Sequence, residues 1–194
     1  MTDPRQKWDE RYYQSDTRVG PDDAAPVLAQ NAYLLPPSGI ALDLACGLGA
    51  NALFLAQRGL QVQAWDVSPV AIDKLQRTAA SYQLTLQAKV RDAVNEPPEP
   101  EQFDVIVVTR FLERQLAPSI AAALKKDGLL FYQTFIKARV TDKGPDNPDY
   151  RLECNELLKL FSSLKILVYR EDGLVGDRQQ GFRDEALLVA QQAG

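Results

Sequence analysis

Short apolar segments alternate with helix-like segments along most of the chain, and this order limits the folds open to it. The runs at residues 39–45 and 103–109 are typical of strands that are buried on both faces. Strands that alternate with helices form a parallel sheet with helices on both sides. The sequence therefore predicts an α/β fold, a three-layer αβα sandwich.

Further elements follow from the same patterns. We predict strands at residues 39–45, 61–65, 84–90, 103–109, 129–135, 164–170 and 185–190. We predict helices at residues 51–59, 69–81, 118–126 and 153–162, with Lys125 and Lys126 as the basic C-terminal end of the third. Ser68 before Pro69 is a typical N-cap with proline at the first helical position. Because no helical pattern separates the last two strands, we expect an antiparallel hairpin at one edge of the sheet.

The composition excludes several kinds of chemistry. The 194 residues, enough for a single domain over 1–194, include no histidine, which removes His-dependent catalytic arrangements and His metal sites. Two isolated cysteines, Cys46 and Cys154, form neither a disulfide framework nor a zinc site, so we expect no metal. The net charge of −4 argues against nonspecific nucleic-acid binding. With no apolar signal core in residues 1–16 and no membrane-length apolar run, we expect a cytoplasmic monomer or homodimer with no membrane partner.

The turn after the first strand is the strongest candidate site. Gly47 and Gly49 let the backbone pass close beneath a ligand, and the helix that follows points free N–H groups at it. Asp66 ends the second strand, where a carboxylate can accept both ribose hydroxyl protons of a nucleoside. Asp92 ends the third strand, where an adenine amine could donate to it. The glycines could instead serve tight packing, and either acid could cap a turn or a helix.

Asp43 distinguishes between two nucleoside cofactors. The string Gly47-x-Gly49-x-x-Ala52 satisfies the dinucleotide pattern G-x-G-x-x-A. A carboxylate at the mouth of that turn would repel a pyrophosphate, but it would attract an ammonium group and a nearby sulfonium. S-adenosylmethionine carries both cations and no phosphate, so it is the predicted cofactor. The alternative is that Asp43 caps the local turn.

Several segments resemble known motifs in the same order. LDLACGLGANA at 42–52 and VQAWDVSPVAI at 62–72 resemble the first motifs of the class I, Rossmann-like S-adenosylmethionine-dependent methyltransferases. RDA at 91–93, FDVIVV at 103–108 and KKDGLLFYQTF at 125–135 are similar to their later motifs. The resemblance extends over about residues 5–192 and implies the sheet order 3-2-1-4-5-7-6. It also implies a cofactor site that includes Ala45, Asn51, Val67, Ala93 and Thr109.

Within that superfamily, the chain is most similar to the small tellurite-resistance and thiopurine-type methyltransferases. The likeness is carried by KWDERYY at 7–13 and NPDYRLECNELLKLF at 147–161. It implies an N-terminal lid over about residues 1–36, with Trp8 and Tyr12 closing over the cofactor. A plain amphipathic helix that packs two aromatic residues is the alternative.

We expect the methyl acceptor to bind beyond the fourth strand and under the loop of the last hairpin. Thr109, Arg110 and Phe111 follow that strand, and Arg178 and Arg183 lie in the loop at 171–185. We assign the two loop arginines the catalytic role of holding an anionic acceptor or stabilising departing charge, although a solvated loop would look the same. The leading hypothesis is methyl transfer to a small molecule, either a thiol or a soft anion. RNA or protein methylation, and a non-catalytic module that binds an adenosyl cofactor, are the alternatives.

Overall fold

A computed structural model describes residues 4–15 and 17–193, and it contains one seven-stranded sheet. Its strands are β1 (Ile40–Leu44), β2 (Gln61–Asp66), β3 (Gln87–Val90), β4 (Phe103–Thr109), β5 (Leu124–Phe135), β6 (Lys165–Arg170) and β7 (Glu185–Gln191). The order is β3-β2-β1-β4-β5-β7-β6, with β7 antiparallel to both of its neighbours. The predicted strand order and the predicted terminal hairpin are confirmed.

Helices cover both faces of this sheet. They are α1 (Pro4–Gln14), α2 (Pro26–Ala29), α3 (Ala50–Gln57), α4 (Pro69–Ser81), α5 (Ala117–Ala123) and α6 (Glu156–Leu160). Alternate residues of β4 enter opposite cores: Ile106 packs with α5 and α6, whereas Val107 packs with α2, α3 and α4. Two apolar cores on the two faces make the predicted three-layer sandwich.

The register of the sheet brings several polar residues to one edge. Leu44 at the end of β1 pairs with Trp65 of β2 and with Val108 of β4. Asp66 and Thr109, one residue further along each neighbour, therefore lie at the same level as the turn that follows β1. Farther along that edge, Phe135 of β5 pairs with Glu185 of β7. This edge holds the carboxyl ends of the parallel strands, where open α/β sheets bind ligands.

The structure corrects one predicted helix. The third predicted helix ends at Ala123, so Lys125 and Lys126 lie in β5 and not at a helix end. Pairing of Leu124 with Phe103 of β4 makes this segment a strand where a helix was predicted. Asp127, with a left-handed φ of 63°, lies where the pairing of β4 with β5 is irregular. Lys125 Nζ lies 2.8 Å from a carboxylate oxygen of Asp104 in β4.

Two further elements are shorter than predicted. The third strand begins at Gln87 and not at residue 84. The last helix spans Glu156–Leu160, because Asn155 before it has a left-handed φ of 58°. The helix predicted at 69–81 has these bounds in the structure, and the Ser68 hydroxyl accepts a hydrogen bond from the Ala71 N–H as the predicted N-cap.

The predicted lid is described only in part, since residues 1–3 and 16 lie outside the described residues. The described part begins with α1, which packs against α4. No helix in the described ranges is long and apolar enough to cross a membrane.

Candidate cofactor and acceptor site

The turn between β1 and α3 continues the sheet before it reverses the chain. The Cys46 N–H donates to the Trp65 carbonyl oxygen at 2.9 Å, which extends the β1–β2 pairing by one residue. Ala45 before it has a left-handed φ of 55°, and Gly49 after it has a φ of 80°. The backbone therefore folds tightly at the sheet edge and enters α3 directly.

The two glycines of this turn face different surroundings. A Cβ at Gly49 would lie 2.3 Å from Leu75 Cδ1 of α4, so this glycine serves the packing of α4 on the turn. That result matches the structural alternative for Gly49. A Cβ at Gly47 would lie 2.8 Å from the hydroxyl oxygen of Tyr12, so Gly47 faces the cleft beneath α1. A side chain at residue 47 would fill that cleft.

Asp66 joins the two loops that follow β1 and β2. Its Oδ2 accepts a hydrogen bond from the Gly47 N–H at 2.8 Å, and its Oδ1 accepts one from the Ser68 N–H at 2.9 Å. The residue is only 6% exposed, and burial raises the pKa of its carboxyl group. Each carboxylate oxygen has a further lone pair, so both can still accept from a ligand.

Asp43 is fully buried at the carboxyl end of β1. Its Oδ2 accepts a hydrogen bond from the Ala52 N–H in the first turn of α3 at 3.0 Å, so the predicted capping alternative is present. Its Oδ1 is buried and has no hydrogen-bond partner in the described part of the chain. Burial raises the pKa of Asp43 to about 7, although the bond from the Ala52 N–H and the nearby Asn51 side-chain amide oppose the shift. The unpartnered oxygen fits a cationic donor such as the ammonium group of S-adenosylmethionine.

Helix α1 covers the cleft between these two carboxylates. The rings of Trp8 and Tyr12 stack with their centroids 5.7 Å apart. Lys74 Nζ donates to the carbonyl oxygens of Tyr12 and Ser15 at 2.6 and 2.7 Å, which fixes the end of α1 to α4. Burial and the nearby Asp66 carboxylate raise the pKa of the Tyr12 phenol. The two predicted lid residues thus lie on the helix over the cleft, and their contact with a cofactor stays a prediction.

Asp92 caps the turn that follows β3. Its Oδ1 accepts from the Val94 N–H at 2.9 Å, and its Oδ2 accepts from the Asn95 side-chain amide at 2.7 Å. The structural alternative for this residue is therefore present, and its contact with adenine stays a prediction. Ala93 beside it is buried, and Val67 in the neighbouring loop is half-buried.

Asn51 and Thr109 form a bridge between elements that are distant in sequence. Asn51 Oδ1 accepts from the Ala25 N–H at 2.9 Å, and Asn51 Nδ2 donates to Thr109 Oγ1 at 3.0 Å. The bridge ties the segment before α2 to the end of β4, beside the glycine turn. The sequence indicated both residues as cofactor ligands; the structure shows their mutual bond, and contact with a cofactor stays a prediction.

A cavity of about 600 Å³ lies farther along the same edge, beside the first residues of β7. Its buried floor includes Gln133, whose Oε1 accepts from the Val27 N–H at 2.8 Å and whose Nε2 donates to the Glu185 carboxylate. The other oxygen of Glu185 lies 3.4 Å from Arg110 Nε. Sequence reasoning missed Gln133 and Glu185. The sequence signal that could have found them is a polar residue in an otherwise apolar strand: Gln133 lies inside β5 and Glu185 begins β7.

The two loop arginines line this cavity in different ways. Arg183 donates four hydrogen bonds to carbonyl oxygens of its own loop: Nε to Gln180 at 2.6 Å, Nη1 to Asp172 at 3.2 Å and to Gly173 at 2.8 Å, and Nη2 to Asp177 at 2.8 Å.

Because these bonds occupy most of the guanidinium, Arg183 organises its own loop, and its predicted role toward the acceptor stays a prediction. Arg178 is exposed and has no hydrogen bond or ion pair within residues 4–15 and 17–193. Of the two loop arginines, Arg178 is therefore the one still free to bind an acceptor.

Within residues 4–15 and 17–193, no cluster of three or more His, Cys, Asp or Glu side chains could hold a metal ion.

Comparison with known proteins places the chain in a family. The family model for the tellurite resistance protein TehB matches residues 8–183. The chain belongs to the TehB family. A TehB-family relative from Haemophilus influenzae, named "Probable S-adenosyl-L-methionine-dependent methyltransferase TehB", is 31% identical over 147 residues, which cover 73% of this chain and 51% of the relative. The chain thus spans about half the length of the curated TehB relatives it matches.

Solved structures share the fold of this TehB-family chain. The crystal structure of TehB from Haemophilus influenzae matches with a TM-score of 0.67 at 22% identity, over 97% of this chain and 66% of that one. A second solved structure, from work on the conversion of a disulfide bond into a thioacetal group during echinomycin biosynthesis, matches this chain with a TM-score of 0.71. It is 22% identical over 97% of this chain and 92% of that one. The predicted resemblance to the tellurite-resistance branch of the class I methyltransferases is confirmed.

Proposed function

We propose that this TehB-family protein transfers a methyl group from S-adenosylmethionine to a small-molecule acceptor. The observation that carries the proposal is the buried Asp43 Oδ1, which has no partner among the described residues and lies at the start of a turn that Asp66 also holds. Asp43 would bind the ammonium group of the cofactor, and Asp66 would accept the ribose hydroxyl protons. A pyrophosphate beside these two carboxylates would be repelled, which argues against a dinucleotide.

The protein's own task in this reaction is alignment and enclosure. When bound, S-adenosylmethionine supplies an already activated methyl group. Trp8 and Tyr12 on α1 would cover the cleft and exclude water from it. Alignment of two reacting groups can lower a barrier by up to about 7–11 kcal/mol in favourable intramolecular cases. A thiolate or another soft anion as the acceptor would need no general base.

The two cysteines bear on the cellular compartment, and the cavity beside β7 bears on where the acceptor enters. Cys46 and Cys154 are both free thiols in the structure, which fits a reducing compartment such as the cytoplasm. The acceptor would enter at the cavity beside β7, which opens at the sheet edge that also carries the glycine turn.

The experiment that tests the proposal is a transfer assay with methyl-labelled S-adenosylmethionine. We would offer the protein thiols, selenite, tellurite and small carboxylic acids, and identify labelled products by mass. We expect label in at least one product and loss of that label in Asp66→Ala. Arg77→Ala is the matched control, since Arg77 pairs with Asp73 on the exposed face of α4. Cofactor binding without transfer to any of these compounds, or to a fractionated extract, would contradict the enzymatic proposal and support the non-catalytic module.

A further inference from the structure

The cavity beside β7 separates opposite charges by depth. Its floor contains the Glu185 carboxylate and the Gln133 amide, which are 9% and 1% exposed. Its rim carries the exposed cations Arg178 and Lys143. Glu185 disfavours an anion at the floor, although Arg110 beside it offsets part of that repulsion. The exposed Arg178 and Lys143 attract an anion at the rim, so a ligand with a single anionic group favours one orientation.

The floor is held in place by buried hydrogen bonds. Gln133 is fixed by the N–H of Val27 and in turn donates to one Glu185 oxygen. The other oxygen has the side chain of Arg110 at 3.4 Å, and that side chain is 65% exposed, so the surrounding water weakens the pair. Glu185 thus keeps lone pairs for a donor from a ligand, such as a hydroxyl, thiol or amine hydrogen.

The walls between floor and rim are partly apolar. Phe135, Val140 and Phe182 line the cavity and are half-buried. A volume of about 600 Å³ lies in the range of pockets that bind organic ligands. An inorganic oxyanion of three or four atoms is far smaller and would leave these apolar walls uncovered.

From this arrangement we propose that the acceptor is an organic anion with an apolar body, which rests on the proposed function. Its anionic group binds Arg178 and Lys143 at the rim, and its body packs against Phe135 and Phe182. Its nucleophilic end carries a proton and donates a hydrogen bond to Glu185 at the floor. When that end accepts the methyl group, its proton would pass to the Glu185 carboxylate. The depth of the cavity thus selects acceptors whose nucleophile and anionic group are at opposite ends.

The test uses three probes and calorimetry in the presence of saturating S-adenosylhomocysteine. The probes are 3-(4-hydroxyphenyl)propionate, its uncharged primary amide, and selenite. We expect the carboxylate to bind about 10-fold more tightly than the amide, since its charge-assisted contacts with the exposed Arg178 and Lys143 distinguish them. We expect Arg178→Ala to remove this preference and Lys143→Ala to reduce it, whereas the control Arg77→Ala preserves it.

The outcomes separate this inference from the proposed function. Equal binding of carboxylate and amide, unchanged preference in Arg178→Ala, or selenite binding as tight as the carboxylate would each overturn the organic-anion inference alone. Failure of the wild-type protein to bind S-adenosylhomocysteine would overturn the proposed function and the inference with it. The comparison of carboxylate, amide and selenite is made on the wild-type protein, so misfolding of a variant cannot be mistaken for its result.

Discussion

Two regions at one edge of the sheet are built in opposite ways. At the glycine turn, buried carboxylates accept backbone hydrogen bonds from residues nearby in sequence: Asp43 from Ala52, 9 residues away, and Asp66 from Gly47, 19 residues away. At the acceptor cavity, the floor joins partners that are 52 and 106 residues apart, and the rim cations are exposed. The first region is tied to the fold itself, whereas the rim of the second can change without cost to the fold.

The largest effect is expected at the turn. Gly49→Ala would place a Cβ 2.3 Å from Leu75 at a left-handed φ of 80°, so we expect a loss of about 3 kcal/mol in the free energy of unfolding. Gly59→Ala is the control, because its φ is 86° but nothing lies within 4 Å of its Cβ. It should cost only about 1 kcal/mol, from backbone strain alone. Urea unfolding measures both, and equal losses would contradict the packing role of Gly49.

The next effect separates the floor of the cavity from its rim. Gln133→Leu leaves the buried Val27 N–H and one Glu185 oxygen without their partner, so we expect a loss of about 2–3 kcal/mol in stability. Arg178→Ala at the rim should change stability by less than about 0.5 kcal/mol. Thermal and urea unfolding of the two variants test this contrast. A rim variant that destabilises as much as the floor variant would remove the distinction between the two layers.

A pH effect should be specific to the turn. Burial raises the pKa of Asp43 to about 7, so the folded protein without cofactor holds a proton there below that pH. Asp43 therefore contributes stability that is complete below about pH 4 and is lost as the pH rises through about 7. A cationic ligand needs the carboxylate, so affinity for S-adenosylhomocysteine should rise about 10-fold from pH 6 to pH 8. Calorimetry should show this rise in the wild type and none in Asp43→Asn; a flat wild-type profile would be the contrary result.

The smallest effect concerns the bridge between the two regions. Thr109→Val removes the acceptor of the Asn51 amide while keeping the shape of the side chain, so we expect a loss of about 1 kcal/mol in stability. Thr109→Ser keeps the hydroxyl and is the matched control. If the valine and serine variants unfold at the same urea concentration, the hydrogen bond to Asn51 contributes nothing.

The same contrast explains what could be predicted from the sequence. The helix after Ser68 and the turn after β1 depend on local signals, an N-cap followed by proline and glycines after an apolar run, and both were predicted correctly. The pair of Gln133 and Glu185 exists only because β5 and β7 become neighbours, and no local pattern indicates that their side chains meet.

Two features of the structure could not be predicted from the local sequence, and the reason is the same. Arg183 is occupied by carbonyl oxygens of residues 172–180, and only the folded loop shows where those oxygens point. Lys125 lies in a strand because β5 already pairs with β4 at Leu124, before the irregular part of that pairing near Asp127. In both cases the charge pattern in the sequence was compatible with a helix end or a free loop, and the folded backbone decided otherwise.

The most direct test compares two ligands at the glycine turn by calorimetry. S-adenosylhomocysteine should bind the wild-type protein in the micromolar range, and Asp66→Ala should weaken that binding strongly. NADH should bind the wild-type protein far more weakly than S-adenosylhomocysteine does. Tighter binding of NADH than of S-adenosylhomocysteine would show that the carboxylates of Asp43 and Asp66 tolerate a pyrophosphate, and the methyl-transfer proposal would fail.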